Sequence, residues 1–213
     1  MDATFRRLVA ACFLNQLGFQ AAYFVGIIGC ATYVLDAGAA EVSALVFVMN
    51  VVMLVGYSAA GALIDAVGPK IVLVASLALP LVAAAVVLAM PVCMVSLLVV
   101  AIVMGLAGAA ASTAVETFPR YLTNDGVLLA RVNSLNSVVT FVAGIIAGVT
   151  DNRFVFAALP VTSVLGVLVA LRLRERVRPE HQQDSGQTTP SLLARVANGV
   201  RATVASPALI VLF

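Results

Sequence analysis

Gly61-Ala62-Leu63-Ile64-Asp65-Ala66-Val67-Gly68-Pro69-Lys70 is the stretch on which the fold turns. An apolar block, 43–64, runs into it and another, 71–90, leaves it. Each is about as long as a helix needs to be to cross the roughly 30 Å hydrocarbon core of a bilayer. The residues between them suit a compact turn at a membrane face. Gly61 is expected to let helices pack closely. Asp65 stands at the end of one helix and ahead of the next, where a carboxylate can accept from exposed helical N–H groups. Gly68 permits a tight turn, and Pro69 suits the first turn of the following helix. Lys70 can reach headgroups or a carboxylate. On these grounds a generic capped loop and a specialised functional loop both remain open.

The same pattern extends outward in both directions. The chain has 213 residues, 62% hydrophobic and 10% charged. Soluble domains carry about 25% charged residues, so this chain has too little polar surface to clothe a water-exposed fold. Six apolar blocks are read as spans: 8–34, 43–64, 71–90, 95–115, 132–150 and 154–171. The first is longer than a span requires, which implies tilt or an interfacial end. The blocks do not alternate as barrel strands do. Backbone groups in lipid must then pair within each segment, which makes the fold all-α and transmembrane. Short polar breaks join the spans: an acidic turn at 36–41, the turn at Pro91, a longer connection at 116–131 with room for a helical turn, and 151–153. Residues 1–173 thus form a six-span bundle. Residues 174–205 form a hydrophilic central loop whose later part, with Arg195 and Arg201 among helically spaced apolar residues, reads as a surface amphipathic helix. At 206–213 a new apolar run begins, expected to be the start of a seventh span in a fragment or a truncated product.

Orientation follows from the basic residues. With the N-terminus in the cytoplasm, that side holds Arg6, Arg7, Lys70, Arg120, Arg131, Arg172, Arg174, Arg176, Arg178, Arg195 and Arg201, and the outer side only Arg153. The outer turns otherwise carry Asp36, Glu41 and Asp151. The expected location is the inner (plasma) membrane, multi-pass, with N-terminus and central loop cytoplasmic. The net charge of +2 is spread over short loops and implies no nucleic-acid partner. Cys12, Cys30 and Cys93 lie in or beside spans without metal-ligand spacing and read as packing residues. The single histidine, His181, falls in the polar linker. No nucleotide loop, paired carboxylates or ligand cluster is present, so neither enzyme activity, cofactor nor metal is expected.

The 61–70 stretch resembles the signature loop between spans two and three of the major facilitator superfamily, Gly-x-Leu-x-Asp-Arg-x-Gly-Arg-Arg/Lys. The chain keeps Gly61, Leu63, Asp65, Gly68 and Lys70, with Ala66 and Pro69 where the family has basic residues. Further stretches resemble the bacterial efflux branch that includes macrolide and siderophore exporters: Phe5-Arg6-Arg7-Leu8 with Asn15-Gln16-Leu17-Gly18, Ala130-Arg131-Val132-Asn133-Ser134-Leu135, and Ser191-Leu192-Leu193 through Ser206-Pro207. The resemblance implies the N-terminal half of a major facilitator fold, two three-helix inverted repeats plus the beginning of a seventh helix. It implies that the 61–70 loop is a cytoplasmic latch, weakened here by Ala66 and Pro69. Family features that mark proton antiport are missing: Phe19 follows Gly18, Ala101 and Met104 precede Gly105, and span five lacks the signature proline.

No Asp, Glu, Lys or Arg is expected deep inside the six spans. Uncharged polar residues remain. Asn15, Gln16, Gln20 and Tyr23 recur along span one; Asn50 and Tyr57 lie in span two; Asn133, Asn136 and Thr140 form a stripe on span five. Such groups must face a cavity or a neighbouring helix. Both readings are open, and the resemblance favours the cavity for span one. Gly105, Gly108, Gly144 and Gly148 are expected to bring helices close. The resemblance implies transport of a small-molecule substrate, with efflux the favoured direction, by alternating access, with the lipid bilayer and a missing C-terminal half or a second copy as partners. The alternative is a non-transporting remnant or a membrane assembly partner.

Overall fold

In the computed structural model, residues 3–122, 126–148 and 152–173 are described, and they are helical apart from short turns. Helix α1, Ala3–Gln20, runs on into a π-wound segment, Ala21–Val34. Then come α2, Ala39–Val67, and α3, Pro69–Ala89. Helix α4, Met94–Thr117, is extended by a 3-10 turn at Phe118–Tyr121. Helices α5, Gly126–Gly148, and α6, Asn152–Leu171, complete the set. Among the described residues four helical stretches are long and apolar enough to cross a membrane: Thr4–Val34, Ala39–Val67, Pro69–Ala89 and Met94–Tyr121. Two shorter apolar stretches, Asn133–Ala147 and Ala158–Leu171, follow. The central loop at 174–205, His181 and the apolar run at 206–213 lie outside the described residues.

Local chemistry sets the boundaries. Asp36 turns the chain after the first span with a φ of 51°, a region that aspartate tolerates better than most residues. The Gly38 N–H donates to the Glu41 carboxylate at 2.9 Å, which fastens the start of α2. Helix α2 therefore begins before residue 43, and Glu41 belongs to its first turn rather than to a separate acidic loop. At its far end α2 continues through Asp65 to Val67. Gly68 then adopts φ 89° and ψ 157°, a conformation essentially restricted to glycine, while its N–H still bonds Ile64 O at 2.8 Å. Pro69 opens α3 at once. At the opposite end of α3, Cys93 starts α4: its N–H donates to Ser96 Oγ at 2.9 Å, and the Ser96 hydroxyl donates back to Cys93 O at 2.8 Å.

Two apolar cores lie at opposite ends of the bundle. One joins Phe5 and Leu8 of α1 with Ile64, Leu73, Val115, Phe118 and Leu173. The other joins Ile27 with Met49, Ala84, Leu97, Met104 and Leu159. Helix starts meet helix ends in each, as short connections between antiparallel helices require. The dominant packing pairs are α2 with α4, α4 with α3, α3 with α6, α6 with α1, and α1 with α5. Helices α2 and α5 thus stand at the two ends of this series. Both leave apolar side chains exposed, such as Phe47 and Leu54 on α2 and Val138 and Ile145 on α5.

Small residues bring some of these pairs together. A Cβ added at Gly105 would lie 2.9 Å from Met49 O across the α2–α4 contact, and one at Gly108 would lie 2.5 Å from a ring carbon of Phe19. Gly56 against Ala109 and Gly18 against Thr162, both at 2.8 Å, do the same work and were not singled out from the sequence. Gly61 and Gly144 correct the expectation. A Cβ at either meets nothing within 4 Å, so neither brings helices close among the described residues. The side-chain surroundings of Gly148 lie outside the description.

Candidate functional site

Helices α1, α4 and α5 diverge around a cleft of about 760 Å³. Helix α1 packs along α5, which runs in the same direction, while α4 meets α1 only at a narrow crossing, and the gap is left between the three. Helix α1 supplies Asn15, Gln16 and Gln20, and Phe24 follows from its π-wound continuation. Helix α5 supplies Asn136, Ser137, Thr140, Phe141, Gly144 and Ile145 at one-turn intervals. Helix α4 supplies Ser112, Val115 and Glu116. The volume suits a small organic molecule.

Part of the polar lining is satisfied by hydrogen bonds within α5 and to neighbouring helices. The Thr140 hydroxyl donates to Asn136 O at 3.0 Å and the Ser137 hydroxyl to Asn133 O at 3.2 Å, both one turn back. The Cys12 thiol donates to Asn136 Oδ1, tying that amide to α1. Among the described residues no buried side-chain nitrogen or oxygen lacks a partner. Back-bonded hydroxyls keep lone pairs directed outward, so the cleft can accept hydrogen bonds from a solute without leaving groups stranded when empty.

Five of the nine candidates from the sequence meet here: Asn15, Gln16, Gln20, Asn136 and Thr140. Asn133 lies beside a much smaller gap shared by Cys12 and Asn136. Tyr57 stands behind the α4 wall, where it hydrogen-bonds Ser112 close to the Glu116 carboxylate. Two candidates are elsewhere. Tyr23 stacks on Phe19, with ring centroids 6.4 Å apart and planes 4° from parallel, and packs against the second core. The Asn50 side-chain amide donates to Val46 O at 2.8 Å on its own helix and is exposed.

The sequence reading missed Ser112, Glu116, Ser137 and the two aromatic residues. Glu116 is the instructive case. It was placed in a polar connection after the fourth span, whereas α4 carries it in its last turn and the helical stretch continues to Tyr121. A charged side chain therefore does line the cleft, near one end. The signal available was the helical spacing of Ser112 and Glu116, which continues one face past the apolar block.

At the 61–70 loop, Leu63 and Asp65 are exposed, Gly68 forms the turn and Lys70 is half-buried. Asp65 lies inside the last turn of α2 rather than between helices. No group of three or more His, Cys, Asp or Glu side chains able to hold a metal occurs among the described residues.

In comparison with known families, the chain matches the family model of the Major Facilitator Superfamily over residues 8–213. A search of curated proteins gives no match. The matched family consists of multi-pass membrane transporters of small solutes, not enzymes, in keeping with the apolar helices described above.

Proposed function

The chain belongs to the Major Facilitator Superfamily, and we propose that it forms a six-span bundle that carries a small solute across the inner membrane, in the export direction, by alternating access. The cleft carries this reading: three helices of an otherwise apolar bundle turn amide and hydroxyl groups toward one space of about 760 Å³. Lipid-facing helices gain nothing from such groups, and binding near the midplane between helical repeats is how this architecture works.

The packing series supports the repeat reading. Exchanging α1 with α4, α2 with α5 and α3 with α6 maps the set of dominant helix pairs onto itself, the α3–α6 pair at its centre being its own counterpart. That is the relation expected of two three-helix repeats. The proposal places the N-terminus, the 61–70 loop and the central loop in the cytoplasm, on the strength of the basic-residue asymmetry. It assigns Gly61, Leu63, Asp65, Gly68 and Lys70 to a latch at that face. It assigns the exposed faces of α2 and α5 to a second six-span bundle, either a C-terminal half or a second copy, which would close the cleft.

Reconstitution into proteoliposomes tests the function. Flux of an accepted solute through the full chain should fall by about tenfold on Gln16→Ala with Asn136→Ala, roughly the effect of losing two ordinary hydrogen bonds. Equal flux in the double variant, with both proteins folded, would remove the cleft from the pathway.

A further inference from the structure

We propose that the cleft selects an organic cation with an apolar body, and that Glu116 is the residue that sets this preference. The inference rests on the reading of the cleft as a solute site. It goes beyond that reading by naming the chemical class of the solute.

Three features of the lining point the same way. The first is charge. Of the described side chains lining the cleft, Glu116 is the one that is ionisable as an acid or base; the rest are amides, hydroxyls and apolar groups. The neighbour that approaches it from α2, Tyr57, brings a hydroxyl group and no positive charge. Among the described lining residues, none brings a positive charge to offset this carboxylate.

The second is position. Glu116 lies in the last α-helical turn of α4, Met94–Thr117, about one turn before the helical stretch ends at Tyr121, so the helix dipole there is more negative than positive. That is not the end of a helix where a carboxylate serves as a cap. A bound cation would answer both the side chain and the helix end at once.

The third is the aromatic rim. Phe24 and Phe141 line the same cleft with rings 49% and 71% exposed. Ring faces attract cations, and they also cover apolar groups attached to the charge. An anion would meet the carboxylate, the helix end and the two ring faces all at unfavourable sign. A neutral sugar-like solute can donate hydroxyls to the amides and the carboxylate but leaves the negative charge uncompensated.

The full chain in lipid nanodiscs, with empty nanodiscs as blank, allows a direct test by equilibrium binding. Tetraphenylphosphonium and tetraphenylborate have the same shape and opposite charge, so their comparison isolates the sign. The unaltered chain is expected to bind the phosphonium at least tenfold more tightly than the borate. Glu116→Gln, which keeps the side-chain shape, is expected to weaken phosphonium binding about five- to tenfold, as one partly solvated charge contact implies, and to leave borate binding equal or stronger. Equal binding of the two ions by the unaltered chain overturns the proposal, whether or not the variant folds. So does a folded Glu116→Gln chain that keeps its phosphonium affinity. Parallel flux measurements in proteoliposomes separate this inference from the transport reading. Glu116-dependent phosphonium binding without translocation would defeat transport and leave the cation preference standing. Translocation of a neutral solute with no discrimination between the two ions would do the reverse.

Discussion

At Gly108 a single methyl group has nowhere to go. The added carbon would sit 2.5 Å from Phe19 Cε2 and 3.1 Å from two further ring atoms, at the crossing of α1 and α4 beside the cleft. Phe19 is itself held by its stacking on Tyr23, so the ring cannot swing away freely. Gly108→Ala should therefore cost about 1–3 kcal/mol, the usual range for overpacking, and be read as a lower thermal midpoint of the purified chain. Phe19→Leu in the same chain should recover part of the loss, a coupling that independent sites would not show. Gly61→Ala is the contrast. Open space surrounds that position, and the change should fall within about 0.5 kcal/mol. Gly68→Ala differs again, because φ 89° is strained for any side chain whatever the space, at a cost of about 1–3 kcal/mol. The sequence showed that these glycines were there, but only Gly68 announced its role, through the proline that follows it. Whether a glycine on a helix faces a neighbour depends on how that helix is rotated. Rotation also separated Gln16 and Gln20, which reach the cleft, from Tyr23, which the π winding after Gln20 turns into the core. Asn50 satisfied its amide on Val46 O, an intrahelical solution that spacing cannot distinguish from a cavity residue.

At the scale of the element, apolar length located the spans and said little about their ends. Thr4–Val34 contains 31 residues, which as regular α-helix would extend roughly 46 Å, well beyond the bilayer core. Its π-wound half takes up part of the excess by wider winding, a departure that no apolar pattern encodes, and tilt accommodates the remainder. The end of α4 was misjudged for a related reason: hydropathy falls at Glu116, but the backbone stays helical, so the cleft's charged residue looked like part of a loop. The turn between α3 and α4 offers a test of orientation. Cys93 sits there partly exposed, whereas Cys12 and Cys30 are buried. The backbone N–H of Ser96, then its side chain, hydrogen-bonds the Cys93 thiol and lowers its pKa below the ordinary value. A lowered pKa means a larger thiolate fraction at neutral pH, and the thiolate is the reactive form. A membrane-impermeant maleimide applied from outside intact cells should label the chain faster than an ordinary free thiol. The rate should fall as the medium is acidified through the lowered pKa, and Cys93→Ser should abolish the signal. Labelling only after the membrane is opened would reverse the proposed orientation of every helix.

For the whole molecule the question is whether the cleft opens to both sides in turn. The two apolar cores close the bundle at opposite ends, and the polar lining runs between them on α1, α4 and α5. Rocking of this bundle against a second one would expose that lining alternately, with α2 and α5 as the faces that slide. Ser137 is a suitable reporter. It is exposed, it lines the cleft, and its hydroxyl bonds only its own helix among the contacts described, at Asn133 O. In a Cys93→Ser background, Ser137→Cys should react with an impermeant maleimide from the outer side in one condition and from the inner side in another. A saturating accepted solute should shift the balance between them. The shift can be no larger than the solute's preference for one state over the other, so a fivefold change in relative rates corresponds to about 1 kcal/mol of differential binding. A non-transporting membrane partner would behave differently: its cleft would face one compartment only, and solute would slow labelling there without ever producing it on the other side. Glu116→Gln is expected to remove the shift caused by an organic cation and to leave the two-sided labelling itself intact, because the carboxylate selects the solute while the helix packing makes the movement.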